Sequence, residues 1–315
     1  MTVSSAPRVV IAGGTGFLGT ALAAEVSRRG AEAVLLTRTP RPDLPYRQVR
    51  WDAVGSGGWA AELDGPDVRV ANLAGKLVDC RPTRAAIAEL RDSRVHATRA
   101  LVQAAQAASA PVQHWLQAST TAIWSDGGEA HLTESSPVPD IPPGLPQMTG
   151  VAAPWEEAAA GAPTEHLHIM RISIVLGGDS PVLQRLMFPV RMGLGGPVGS
   201  GRQWFSWIHL TDWLELACAA LGLGALRLPD GVLVAAAPNP VRNAELMAAM
   251  RRHVGRPDWA PPTPAPLVQL GSVVLRTDPA LALTGRHVTS ERLGDFEFRY
   301  PHLDGAIAAL DQTLP

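Results

Sequence analysis

The chain has 315 residues, 46% hydrophobic and 18% charged, with a formal net charge of −2. This is enough apolar material for one large core and a smaller lobe, and the near-neutral balance gives no electrostatic basis for a nucleic-acid or anionic-membrane partner. Two cysteines, Cys80 and Cys218, cannot form a metal-ligand cluster on their own, and nothing points to their pairing, so a cytoplasmic setting is expected.

Arg8-Val9-Val10-Ile11-Ala12 reads as a buried parallel strand that Gly13 stops, without the basic and apolar runs of a secretory signal. No later apolar run approaches the roughly 20 residues needed to span a bilayer. The turn Gly13-Gly14-Thr15-Gly16-Phe17-Leu18-Gly19 follows. Gly13 permits a tight turn, Gly16 lets backbone N–H groups approach a pyrophosphate, and Gly19 lets the next helix pack closely on the sheet. That helix is expected over Phe17 to Arg29, closed by Gly30, with a second strand at Ala33 to Thr37. The strand ends in Thr37-Arg38, where an NAD site would place an acid. Arginine there favours the 2′-phosphate of NADP, the alternative being a solvated loop cation.

Val68 to Asn72 supplies another strand, and Leu73-Ala74-Gly75 turns beside it. Ala85 to Ala108 has helical spacing, His114 to Ser119 is a strand, Trp155 to Ala160 lies in a helix, and Leu167 to Ile172 is the strand after it. Strands alternating with helices over the first ~175 residues predict an α/β, Rossmann-like, doubly wound parallel sheet. The glycine-rich stretch Gly193 to Gly201 reads as a loop, Ile208-His209-Leu210-Thr211-Asp212 leads into a helix, and Pro257 to Pro266 is a connector. The expected division is a nucleotide-binding domain over 1–176, with a return segment near 204–237, and a smaller substrate lobe over 177–315.

The glycine turn, Leu36-Thr37-Arg38, Asn72 to Gly75, Asp92-Ser93-Arg94, Trp155-Glu156, Arg171 to Gly177 and Gly199-Ser200-Gly201-Arg202-Gln203-Trp204-Phe205-Ser206-Trp207-Ile208-His209 together resemble the extended short-chain dehydrogenase/reductase superfamily. More narrowly, the chain is similar to its epimerase-like subfamily with a C-terminal domain of unknown function. The resemblance spans nearly the whole chain and implies a Rossmann fold, NADP(H) binding and a small-molecule substrate, leaving oligomeric state open. It also places the superfamily's catalytic tyrosine at Val151, its lysine at Trp155, and its hydroxyl partner at Thr120 or Ser119. The only tyrosines, Tyr46 and Tyr300, have no lysine four residues on, and Lys76 is the only lysine. A weaker similarity runs to ring-forming or dehydrating members of the superfamily in bacterial polyketide pathways.

With tyrosine and lysine gone, Glu156 is the nearest ionisable candidate on the helix, and Arg171 on the next strand can pair with it. Desolvation beside Trp155 and attraction by arginine act oppositely on such a carboxylate, which suits a general base. Elimination of water from a β-hydroxy carbonyl compound, with ring closure, would use Glu156 as base, Arg171 as donor and Trp155 as pocket wall. The alternative is an ion pair that only fixes the structure, with Trp155 as core filler. Two rival functions are an NADP-dependent oxidoreductase or epimerase using Thr120, and a nucleotide-binding regulator that has lost catalysis. Lys76 reads as a solvated loop residue, His209 as structural, and Arg202 and Trp204 as either substrate contacts or loop anchors. No metal-ligand spacing and no Gly-x-Ser-x-Gly elbow is present.

Overall fold

The computed structural model describes residues 6–78, 80–294 and 296–311. Strand β1 (Arg8–Ala12) is apolar and buried along almost its whole length, as a strand covered on both faces must be. Helix α1 (Phe17–Arg28) follows the glycine turn, and Arg29 and Gly30, at φ +82°, carry the chain into β2 (Glu32–Thr37). Next come β3 (Arg47–Arg50), β4 (Val68–Asn72), α2 (Arg84–Gln106) and β5 (Val112–Thr120). Thr83 caps α2 by accepting the Ala86 N–H. The chain continues through β6 (His131–Leu132), α3 (Thr149–Glu157), β7 (Thr164–Ile172), β8 (Ile174–Leu176), α4 (Pro181–Arg191), β9 (Trp204–Phe205) and β10 (Trp207–His209). It ends with α5 (Leu210–Ala220), β11 (Gly231–Ala235), β12 (Val241–Arg242), α6 (Asn243–His253), α7 (Ala265–Leu275), α8 (Ala280–Leu283), β13 (His287–Val288) and α9 (Leu303–Ala308).

Seven strands form one parallel sheet in the order β11-β7-β5-β4-β1-β2-β3. The order reverses between β1 and β4, and in such sheets ligands enter at the carboxyl ends of the strands beside that reversal. Leu22 and Val26 of α1 and Trp213 and Leu216 of α5 pack on one face with Ile11 and Leu116. Leu101 of α2 packs on the other with Val70, Trp115, Trp51 and Trp59. A separate apolar cluster joins Leu176, Met187 and Trp207 to Leu246, Met250 and Ile307.

Among the differences from the sequence reading, two bear on the site. The helix expected over Trp155 to Ala160 begins earlier, at Thr149, and stops at Glu157. Its start is set by tertiary bonds: the Thr149 hydroxyl donates to the Ile123 carbonyl and shares a hydrogen bond with Ser125. Strand β3 has no apolar run to announce it. It is a polar edge strand, and charged side chains are common at edges because they discourage further pairing.

Candidate active site

The turn after β1 is built by close backbone approach. Gly13 adopts φ +76°, and a Cβ there would stand 2.8 Å from the Leu73 oxygen. A Cβ on Gly19 would stand 2.4 Å from the Gly13 oxygen, so the start of α1 rests directly on the turn. Gly16 is the N-cap of α1 and offers no side chain to the helix, which leaves first-turn N–H groups for an anion. The Thr15 and Thr37 hydroxyls lie 3.3 Å apart, tying the turn to the end of β2. Phe17 faces Gly177 beyond β8, and Leu18 packs at the margin of the core. Across the cleft, Asn72 donates to Thr98 and Gln117 and accepts the Ala74 N–H. This buried network holds Leu73, Ala74 and Gly75 against the glycine turn, with the Leu73 N–H donating to the Ala12 carbonyl.

Arg38 lines a cavity of about 460 Å³ together with Arg50, Trp51, Asp52, Ser56 and Trp59. The second guanidinium was not legible in the sequence because β3, which carries it, was not. Its signal was the Arg50-Trp51-Asp52 run at the end of β3. Arg41 also reaches back to the Thr15 carbonyl at 3.4 Å.

The residues expected to form an acid/base trio divide between two places. Both oxygens of Glu156 accept from Arg171, each at 2.9 Å, and Oε1 also accepts the Ser119 hydroxyl at 2.5 Å. Arg171 lies over the Trp124 ring at 4.8 Å, and both members of the pair are largely buried. Trp155 sits about 100° further round the helix from Glu156, facing α2, where the Arg94 guanidinium lies 5.1 Å from its ring. The tryptophan therefore does not wall a pocket around the carboxylate. Its indole N–H is buried and has no partner among the described residues. Arg94 donates to the Leu90 and Lys76 carbonyls, and burial pushes its pKa down to about 10. Thr120 accepts the Ala122 N–H, so Ser119 and not Thr120 is the hydroxyl on Glu156.

The remaining candidates have structural partners. Lys76 forms a surface ion pair with Glu89. His209 accepts the Thr211 N–H as the cap of α5, lies tilted against the Tyr300 ring, and is pushed down to about pKa 4 by burial, which suits a neutral cap. Trp204 donates to Glu129, stacks on His287 at 4.1 Å and carries the Arg242 guanidinium at 3.7 Å, so it anchors the glycine loop. Arg202 is exposed, and its carbonyl accepts from Arg242. Among the described residues, no group of three His, Cys, Asp or Glu side chains is placed to hold a metal, and no helix is long and apolar enough to cross a membrane.

A parallel sheet with this strand order and a glycine cradle at its reversal point define a Rossmann-type α/β protein. The chain belongs to the epimerase family. The NAD dependent epimerase/dehydratase family model matches residues 9–146. Epimerase family protein SDR39U1 of Bos taurus is 33% identical over 308 residues, covering 95% of this chain and 98% of that protein. Epimerase family protein YfhF of Bacillus subtilis is 29% identical, covering 96% and 97%. The crystal structure of human SDR39U1 (isoform 2) with NADPH superposes with a TM-score of 0.82 at 30% identity, over 98% of this chain and 100% of that one.

Proposed function

We propose that this chain binds NADP(H) along the glycine turn and acts on a small molecule beside α3, without a tyrosine–lysine proton relay. The lobe over 177–315 supplies the far wall of that site. The carrying observation is the α3 face: Met148, Val151 and Trp155 recur at helical spacing, are buried, and offer no ionisable group.

The cradle suits the coenzyme on two counts. The uncapped start of α1 matches a pyrophosphate, and the Arg38 and Arg50 wall matches a 2′-phosphate. The human relative crystallised with NADPH supports the same reading. When bound, the nicotinamide gives or takes a hydride. The Thr120 hydroxyl accepts the Ala122 N–H and keeps its own proton to donate to an oxygen of the bound molecule.

The test is a fluorescence titration with NADPH and with NADH. Tighter NADPH binding is expected. Arg38→Ala should weaken it about ten- to a hundredfold, as removal of charge-assisted bonds worth ~1.5–3 kcal/mol does, with NADH unaffected. Equal affinity for both coenzymes in the unaltered protein overturns the assignment.

The same inert face supports a second, non-redox reading: dehydration and ring closure of a polyketide-like β-hydroxy carbonyl compound. It requires Glu156 to leave Ser119 and Arg171 before it can take an α-proton, so the held geometry favours the first reading. A product lighter by one water, formed without NADPH loss and abolished in a folded Glu156→Gln variant, would reverse that preference.

A further inference from the structure

The interior arginines differ in how their charge is met. Arg171 has Glu156 and Arg69 has Asp67, while Arg251 donates to the Pro257 and Gly193 carbonyls. Arg286, just before β13, has none of these. Its Nη1 lies 3.7 Å from the Met148 sulfur and its Nη2 lies 3.4 Å from the Thr284 hydroxyl, both weak acceptors at those distances. Its backbone is fastened to the lobe: its N–H donates to the Trp204 carbonyl, and its own carbonyl accepts the Ser206 hydroxyl. The side chain leaves the lobe, passes the Gly127 backbone and ends against Met148, which is 3% exposed, at the head of α3.

An acid in the loop facing it, Asp126, accepts the Gly285 and Gly128 N–H groups and attracts the guanidinium electrostatically without a direct contact. Burial lowers the Arg286 pKa to about 10, which leaves it cationic at neutral pH. A half-buried guanidinium at the junction of two lobes, met by a thioether and a hydroxyl at long distances, is one that an anion can complete. Met148 begins the apolar face that continues to Val151 and Trp155, so a charge held by Arg286 would position an attached apolar body along α3.

We propose that Arg286 is the anion-binding group of the small-molecule site, receiving a carboxylate or phosphate oxygen of a ligand whose apolar part lies on the Met148–Val151–Trp155 face. This deepens the reading of α3 as the reaction face and rests on it.

The test uses octanoate and UDP as probes, followed by tryptophan fluorescence and thermal shift on the full chain with and without NADPH. At least one probe should bind, at least tenfold more weakly in Arg286→Met, with part of the affinity restored in Arg286→Lys. Octanoate alone identifies a carboxylate and UDP alone a phosphate. Binding of neither probe, or unchanged binding in Arg286→Met, overturns the proposal. NADPH affinity in Arg286→Met should match the unaltered protein; failure of NADPH binding in both removes the coenzyme reading while leaving the anion result standing. If Arg286→Met does not fold, Arg286→Lys decides: several-fold weaker probe binding is expected, and equal binding refutes the site.

Discussion

The glycine turn after β1 and the corner where α3 meets β5 and β7 both lie at the carboxyl ends of the sheet's strands, and they are built on opposite principles. In the turn, function rests on backbone: Gly13 and Gly19 matter because no Cβ fits, and the groups offered to a ligand are N–H dipoles. The corner is built from side chains that face one another. Glu156, Arg171 and Ser119 satisfy one another, and Trp124 covers the guanidinium. A backbone cradle survives sequence change because it needs only small residues at a few positions. A cluster of side chains such as this one depends on the identity of each member.

The strongest attack on this contrast is Glu156→Ala. Removing one partner of a buried pair should destabilise the fold by about 3–5 kcal/mol, read by denaturant unfolding, while NADPH affinity in the surviving folded protein stays the same. A loss below ~1 kcal/mol would mean that the corner is not a brace. Gly19→Ala is next: its Cβ would press on the Gly13 carbonyl, and overpacking of this kind costs about 1–3 kcal/mol. Here coenzyme affinity should fall together with the thermal midpoint. Unchanged NADPH binding in that variant would show that the turn tolerates displacement.

A third test uses pH. Burial depresses the His209 pKa from 6.5 to about 4, so between those values the unfolded chain binds more protons than the folded one. Stability from this group is therefore complete above pH 6.5 and lost as pH falls toward 4, by at most ~1.4 kcal/mol per pH unit. His114 is depressed to about 4 by burial and by Arg69, and adds in the same direction. His209→Asn, which can still accept the Thr211 N–H, should flatten the acid limb of a stability-against-pH curve. An identical limb in the variant would assign the loss elsewhere. The smallest effect belongs to Lys76→Ala. Its exposed pair with Glu89 is worth ~0–1 kcal/mol, and any large loss of turnover in that variant would return the lone lysine to the site.

What was legible in the sequence follows the same division. β1, the glycine turn and β2 were readable because a buried strand and a left-handed glycine leave local marks. β3 was not, since Arg47 to Arg50 is charged edge strand and its pairing with β2 is a tertiary fact. Glu156 and Arg171 could be picked out as partners, but the capture of the same carboxylate by Ser119 depends on three separate elements converging. The separation of Trp155 from Glu156 follows from helix geometry once Thr149 is known as the start. Arg286 left no local mark, because Met148, which its side chain meets, lies far from it in the chain.

One consequence of the strand order concerns how this protein can be divided. β11 pairs with β7 only after the chain has passed through β8, α4, β9, β10 and α5. A fragment ended at residue 176 would leave the outer edge of β7 with raw, unpaired amides, an invitation to intermolecular stacking. It would also strip Trp213 and Leu216 from the face they shield. Cutting the chain there would therefore yield an aggregating remnant in place of a miniature coenzyme binder, and a soluble monomeric fragment over 6–176 would be the surprising result.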